Sequence, residues 1–286
     1  MMSRIEVMKT YKLFINGAFV RSESGRSYEI KNSKGKFLAN PAQASRKDLR
    51  DAVSAAKTAF IGWSEATAYN RGQILYRIAE MLEGRRDQFV SEIIAQSGVT
   101  QKIADSEVSQ AIDLWVWYAG WSDKLSSVGG NQNPIAAQFY NFTTPEPLGA
   151  IAIFPNQKAK SASGTLLNIV ASLAPVICAG NTAILIAPQS APLTAMSLAE
   201  VLATSDLPAG VANILTGKSE ELVSWVGSHM EIDGVDCSGL SNSDQVAIKV
   251  SGAENLKRIH KFADDKSTER ILKFMEQKTV WQPIGI

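Results

Sequence analysis

Cysteine, histidine and net charge are all scarce in this chain, and each scarcity removes a class of function. Two cysteines in 286 residues, Cys178 and Cys237, each sit inside an apolar segment. They exclude a disulfide framework and favour a reduced, cytoplasmic setting. The two histidines, His229 and His260, have no cysteine or carboxylate at ligand or relay spacing, so no zinc site is expected. A net charge of +1, with lysines and arginines scattered among acids, gives no electrostatic basis for binding nucleic acid. No apolar run approaches the roughly 20 residues of a membrane span, and MMSRIEVMKT lacks the apolar core of a signal peptide. No internal repeat occurs at solenoid or propeller period. What remains is a cytosolic α/β protein long enough to bury a full core.

The stretch 144–194 organises the rest. Residues 150–154 form a short apolar run opened by Pro147-Leu148-Gly149 and closed by Pro155, which suits a buried parallel strand. Residues 166–179 carry apolar side chains at helical spacing, and Gly180-Asn181 is a helix stop. Residues 182–186 are the next buried strand. The three make one right-handed βαβ crossover, the seed of a Rossmann-like, doubly wound parallel sheet. Such sheets bind ligands just past the strand C-termini, which points to 155–160 and 187–190.

Upstream, 13–20 reads as a hairpin around Asn16-Gly17, and 28–30 with 37–39 as candidate edge strands. Helices are expected from Ser45 to about Glu65, over 70–85, over 87–97 up to Gly98, and over 102–124. Trp115, Trp117, Tyr118 and Trp121 in the last of these read as helix packing. Residues 126–134 are a Gly/Asn/Ser loop and a domain seam, and 138–144 an exposed strand. Downstream come a helix over 192–203, a turn at 206–210, a strand over 212–215 and a helix over 220–226 opened by Gly217. A strand over 232–237, a helix over 244–250 and a strand or strand remnant over 256–262 follow. Residues 263–273 are strongly charged, and 263–270 read as a solvated linker. Thr279, Val280 and Trp281 alternate as a strand would. The expected division is 1–137 (hairpin and helices), 138–149 (bridging strand), 150–262 (α/β core) and 263–286 (linker and terminal strand).

Several of these segments, in this order, resemble the aldehyde dehydrogenase superfamily. LFINGAFVRSESGRSYEI is similar to its N-terminal hairpin, WYAGWSDKL to its long helix, and FTTPEPLGAIAIFP to its bridging strand and first nucleotide-fold strand. LAPVICAGNTAILIAP, LPAGVANILTG and HMEIDGVDCSG follow at near-family spacing. ERILKFMEQKTVW is similar to the family's extreme C-terminus, which completes a small bridging sheet used in oligomers.

The departures carry as much information. In the family, the strand matching 256–259 leads into a motif bearing the general-base glutamate, and then into a catalytic domain with the nucleophilic cysteine. Here His260-Lys261-Phe262 and a short charged segment stand in that place. Cys178 and Cys237 read as small core hydrophobes. The resemblance implies an oxyanion-stabilising amide after the first strand. Gln157 matches it, or Asn156 if the loop slips by one, with an insertion over 158–164.

The ribose-holding lysine and glutamate of the family are matched by Ala187 and by Ser190 (or Gln189). Each loss removes about 1.5–3 kcal/mol of charge-assisted bonding. Two of three glycines are replaced after Gly217, Glu220 and Glu221 put negative charge where phosphates would lie, and Leu240 follows the retained Ser238-Gly239. Lys158, Lys160 and Lys218 leave a weak anion site as the alternative to solvated lysines. The vestigial cofactor-binding set is therefore Pro155, Asn156, Gln157, Gly217, Ser238 and Gly239. No catalytic residue, metal or tightly held cofactor is expected, and NAD(P) only as a weak ligand. The expected role is a non-catalytic, oligomerising subunit, as a homo-oligomer or with a full-length aldehyde dehydrogenase. The rival is an NAD(P)-dependent component active only with a partner chain.

Overall fold

The computed structural model describes residues 8–156, 165–262 and 266–285. In chain order it forms β1 (Leu13–Ile15), β2 (Ala18–Val20), β3 (Ile30–Lys31), β4 (Phe37–Ala39), α1 (Arg46–Glu65), α2 (Ala68–Glu83), α3 (Arg86–Ser97), α4 (Gln101–Ala119) and α5 (Leu125–Gly129). Then follow β5 (Asn131–Gln132), β6 (Phe139–Pro147), β7 (Ala150–Ile153), α6 (Thr165–Cys178), β8 (Thr182–Ile186), α7 (Leu193–Ala203) and β9 (Ala212–Leu215). The last are α8 (Ser219–Ser228), β10 (Gly234–Asp236), α9 (Asn242–Gly252), β11 (Arg258–His260), α10 (Glu269–Leu272) and β12 (Met275–Pro283).

A seven-stranded sheet has the order β11-β10-β7-β8-β9-β1-β2. β7 pairs in parallel with both β8 and β10, β9 continues from β8 and β11 from β10. The β1–β2 hairpin closes the far edge antiparallel to β9. The strand order therefore reverses between β7 and β10, the switch point of a doubly wound fold. β7 is buried on both faces: Ile151 and Ile153 belong to one core, Ala150 and Ala152 to the other. The first core holds α2, α3, α4, α6 and α7 against the sheet, and the second holds α1, α8 and α9. α1 begins where a Ser45–Asp48 capping box satisfies its first amides, and it buries Leu49, Ala52, Val53 and Ala56.

Four sequence expectations need correction. The helix expected over 102–124 ends at Ala119, where Gly120 and a turn reverse the chain, and 126–134 is not simply a loop. It contains most of α5, whose Leu125 is buried, and β5, which pairs with β6. The strands near 28–30 and 37–39 pair with each other as a separate two-stranded sheet rather than extending the main one.

The fourth correction concerns the charged segment 263–270, expected to be solvated; its residues 263–265 lie outside the described residues. Arg270 is only 4% exposed and forms an ion pair with the buried Asp236 at 3.1 Å. Ile271 and Phe274 are buried beside it. α10 lies against α6, and the Phe274 ring crowds Gly234 of β10. Residues 270–274 thus pack onto α6 and β10, and their apolar positions outweigh the charge count of the stretch.

Beyond it, β12 pairs antiparallel with β6 over nine residues, from Met275↔Pro147 to Pro283↔Phe139, in a three-stranded sheet with β5. Its root is fastened to the core. The Asn181 amide and the Leu148 N–H both donate to the Phe274 carbonyl, at 2.8 and 3.2 Å, and Arg258 donates to the Met275 carbonyl at 2.7 Å. Phe274→Ala empties this junction and is expected to cost about 3–5 kcal/mol, read as a lowered urea midpoint.

Candidate nucleotide-binding site

Four of the residues singled out from the sequence meet at the switch point. Pro155 and Asn156 follow β7, and Ser238 and Gly239 follow β10. The two loops are zipped by backbone bonds: Phe154 N–H to the Asp236 carbonyl and Gly239 N–H to the Phe154 carbonyl, both 2.8 Å. A Cβ on Gly239 would fall on the Pro155 carbonyl, so contact with the chain's own backbone is enough to require glycine there. The Asn168 amide donates to the Asn156 carbonyl at 2.8 Å and ties the first loop to α6.

Ser238 is equally committed. Its hydroxyl donates to Asp236 and accepts the Phe262 N–H at 2.9 Å. Burial pushes the Asp236 carboxyl up, against the pull of Arg270 and Ser238. Leu240 is buried behind them.

Gly217 lies elsewhere, past β9, with β8 between it and the loop after β7, and β7 and β8 between it and the loop after β10. Its φ of 141° and its close approach to Ala44 N (3.1 Å from the position a Cβ would take) account for the glycine. Thr216 and Ala44 hold each other there, Ala44 N–H donating to the Thr216 carbonyl at 2.8 Å. The first turn of α8 carries Glu220 and Glu221, and Glu221 accepts from Arg26 at 2.9 Å and Gln43 at 2.8 Å. A carboxylate pinned by a guanidinium and an amide thus occupies the approach to this helix end. Gln157 lies outside the described residues, as do Lys158, Lys160 and the insertion over 158–164.

One group here was missed from the sequence. Glu107 of α4 is 4% exposed, and its carboxylate accepts the Leu166 N–H at 2.8 Å, in the first turn of α6. The helix dipole favours such an anion, and Glu107 supplies it from within the chain. The signal was a lone glutamate on the apolar stripe of α4, four residues ahead of Ala111. Gln189 and Ser190, read as ribose positions, border a cavity of about 340 Å³ lined also by Tyr28, Glu29, Ile30 and Lys31. A groove of about 920 Å³ lies between α2 and α4, near Tyr69, Tyr76 and Val116, and none of the predicted site residues lines it.

Both thiols are interior. Cys178 donates to the Tyr118 carbonyl at 3.2 Å, and burial pushes its pKa up to about 11 despite Ser122 and Arg71 nearby. Cys237 donates to the His260 carbonyl at 3.2 Å, and burial, followed by the charge of Asp236, raises its pKa. His260 packs against Phe262 and Phe274, with ring centroids 5.9 and 5.5 Å away, and those two rings also meet each other at 5.9 Å. Burial lowers its pKa, and that of His229 as well. Among the described residues no group of His, Cys, Asp and Glu is placed to hold a metal, and no helix is long and apolar enough to cross a membrane.

Gly239→Ala is expected to destabilise the chain by about 1–3 kcal/mol through overpacking, seen in a denaturant titration, although no ligand is involved. Because its pKa is raised, Cys178 stays a thiol at pH 8, so iodoacetamide should leave it unmodified in the native chain and modify it once urea unfolds the protein. Mass spectrometry of the peptide carrying Cys178 checks this.

The chain's likeness to known proteins agrees with this architecture. Omega-crystallin of Enteroctopus dofleini is 29% identical over 255 residues, covering 88% of this chain and 50% of that protein. Mitochondrial 10-formyltetrahydrofolate dehydrogenase of Mus musculus is 31% identical over 257 residues, covering 87% of this chain and 27% of that one. The NAD+ complex structure of an aldehyde dehydrogenase from Bacillus cereus superposes with a TM-score of 0.77 at 26% identity, over 88% of this chain and 50% of that one. The chain thus spans about half the length, or less, of the relatives it matches. A model of the aldehyde dehydrogenase family matches residues 19–267, and the chain belongs to that family.

Proposed function

We propose that this chain is a non-catalytic, oligomerising subunit of aldehyde dehydrogenase type, in which NAD(P) affinity is weak or lost. The observation that carries the proposal is the path from β11 to β12. The chain leaves the doubly wound sheet at His260, crosses α6 through α10 and enters the β6–β12 ribbon at Met275. Family resemblance would put a catalytic domain in that interval, and the short segment there is packed into the core instead. The state of the thiols supports the same reading. A thiol nucleophile needs a partly exposed, stabilised thiolate, and both cysteines of the chain are buried with raised pKa values.

The ribbon supports assembly. Every β12 residue after Met275 is exposed, and Phe139, Tyr140, Phe142 and Trp281 offer apolar side chains on β6 and β12. A nine-residue strand with a free edge and solvent on both faces gains stability when another chain covers it. The occupant of this reading is a second copy or a full-length family member. Weak cofactor binding is supported by the zipped loops at the switch point and by Glu221 at the start of α8.

A second reading, an NAD(P)-dependent component active only with a partner chain, is favoured by the cavity beside Gln189 and Ser190. The purified chain is expected to sediment as a dimer or larger, to fall to a monomer on Trp281→Asp, and to give no calorimetric heat with millimolar NAD. Aldehyde oxidation by the chain alone with NAD or NADP, at ordinary turnover of about 1–1,000 per second, would overturn the proposal. Sub-micromolar NAD binding would favour the second reading.

A further inference from the structure

The groove between α2 and α4 shares no residue with the switch-point site. It encloses about 920 Å³, within the range of small-molecule clefts. Its floor is the crossing of the two helices, which approach closely at Gly72: a Cβ there would lie 3.0 Å from the Ala119 carbonyl oxygen. Tyr69 and Tyr76 both line it, seven residues apart on α2 and so about 10 Å apart along its axis. They stay 70% and 52% exposed. The Gln73 amide donates to the Tyr69 hydroxyl at 3.3 Å and restrains that ring. The turn after α7 completes the lining with Asp206 and Pro208.

The charges of this lining do not cancel. Arg77 pairs with Glu80 at 3.1 Å and Lys124 with Asp123 at 2.7 Å, which leaves no cation over. The Asp206 carboxylate has neither an ion pair nor a hydrogen bond among the described residues. One unmatched negative charge therefore stands in a groove with two tyrosine rings, whose faces attract cations. The backbone does not account for the carboxylate. Asp206 has a φ of 60°, a conformation that asparagine accepts as readily as aspartate. The turn is also held in place: the Thr204 hydroxyl donates to the Glu200 carbonyl at 2.9 Å, and the Val211 N–H to the Pro208 carbonyl at 3.2 Å. A hard metal ion asks for several oxygen ligands, and a single free carboxylate does not supply them. An organic cation asks only for a counter-charge and aromatic faces. We propose that this groove binds a small organic ammonium ion, with Asp206 as its counter-charge and Tyr69 and Tyr76 as the rings beside it. The site rests neither on assembly nor on the loss of NAD affinity.

The test is a titration of the full, deuterated chain with tetramethylammonium chloride, followed by amide NMR shifts. Sodium chloride at equal ionic strength is the blank, and tert-butanol is the neutral molecule of similar size. The Gln73, Tyr76, Ala119 and Asp206 amides should shift saturably, with a dissociation constant on the order of millimolar, and tert-butanol should leave them in place. Asp206→Asn keeps the shape and suits the same backbone, so it removes the charge alone and should weaken binding at least fivefold. Tyr76→Leu should weaken it at least threefold. Both side chains are exposed, so neither change threatens the fold. The absence of saturable shifts at tens of millimolar would overturn the proposal. Equal binding of tert-butanol would do so by making the groove merely apolar, and tighter binding of acetate by assigning it to Arg77 and Lys124. Unaltered affinity in Asp206→Asn would overturn it as well. None of these outcomes changes the sedimentation or the NAD titration expected of the chain.

Discussion

The buried pair Asp236–Arg270 is the constraint on which the arrangement of this chain depends. Moving two charges out of water costs several kcal/mol per ion, and their attraction offsets that only if the remaining donors and acceptors are also satisfied. The carboxylate is served on both oxygens: Ser238 and its own N–H bond one, Arg270 Nη1 the other, and Ser172 shares that Nη1. That satisfaction fixes where the chain must go after β11. It has to return across α6, which brings Ile271 and Phe274 into the core and delivers β12 to β6 in a single register. One electrostatic contact therefore links the end of the sheet to the position of the ribbon.

The sequence conveyed the sheet well because buried parallel strands announce themselves. Residues 150–154 and 182–186 are continuous apolar runs with turn residues at each end, and no other element suits them. Capping and hydrophobic spacing likewise placed α1 and α2 to within a few residues. The charged segment was misread for an equally physical reason. Within 263–273, composition is dominated by Asp, Glu, Lys and Arg, and composition does not say which single arginine meets a buried partner. Asp236 gave no warning either, since a lone aspartate at a strand end is ordinary at a loop mouth. Only the three-dimensional coincidence of residues 34 apart in sequence exposes the pair.

The candidate site was half legible for a related reason. Resemblance to the family led to Pro155, Asn156, Ser238 and Gly239, and the fold brings those four together. Resemblance does not tell what a conformationally special residue is for in this chain. Gly239 and Gly217 each have a neighbour inside the chain, Pro155 in one case and Ala44 in the other, that accounts for the missing side chain. Glu107 was invisible because its partner is a backbone amide on another helix. Polar groups whose bonding lies across the fold are the general blind spot of linear reading.

The ribbon also bears on biosynthesis. Thr143 and Thr279, whose hydroxyls meet across β6 and β12, are 136 residues apart. When β6 leaves the ribosome its partner has not been made, and translation at about 5–20 residues per second leaves the backbone edge that β12 will pair open for several seconds or more. Non-local pairing of this kind forms late. An open strand edge is a template for another chain, so neighbouring nascent chains on one message can meet edge to edge before either closes on itself.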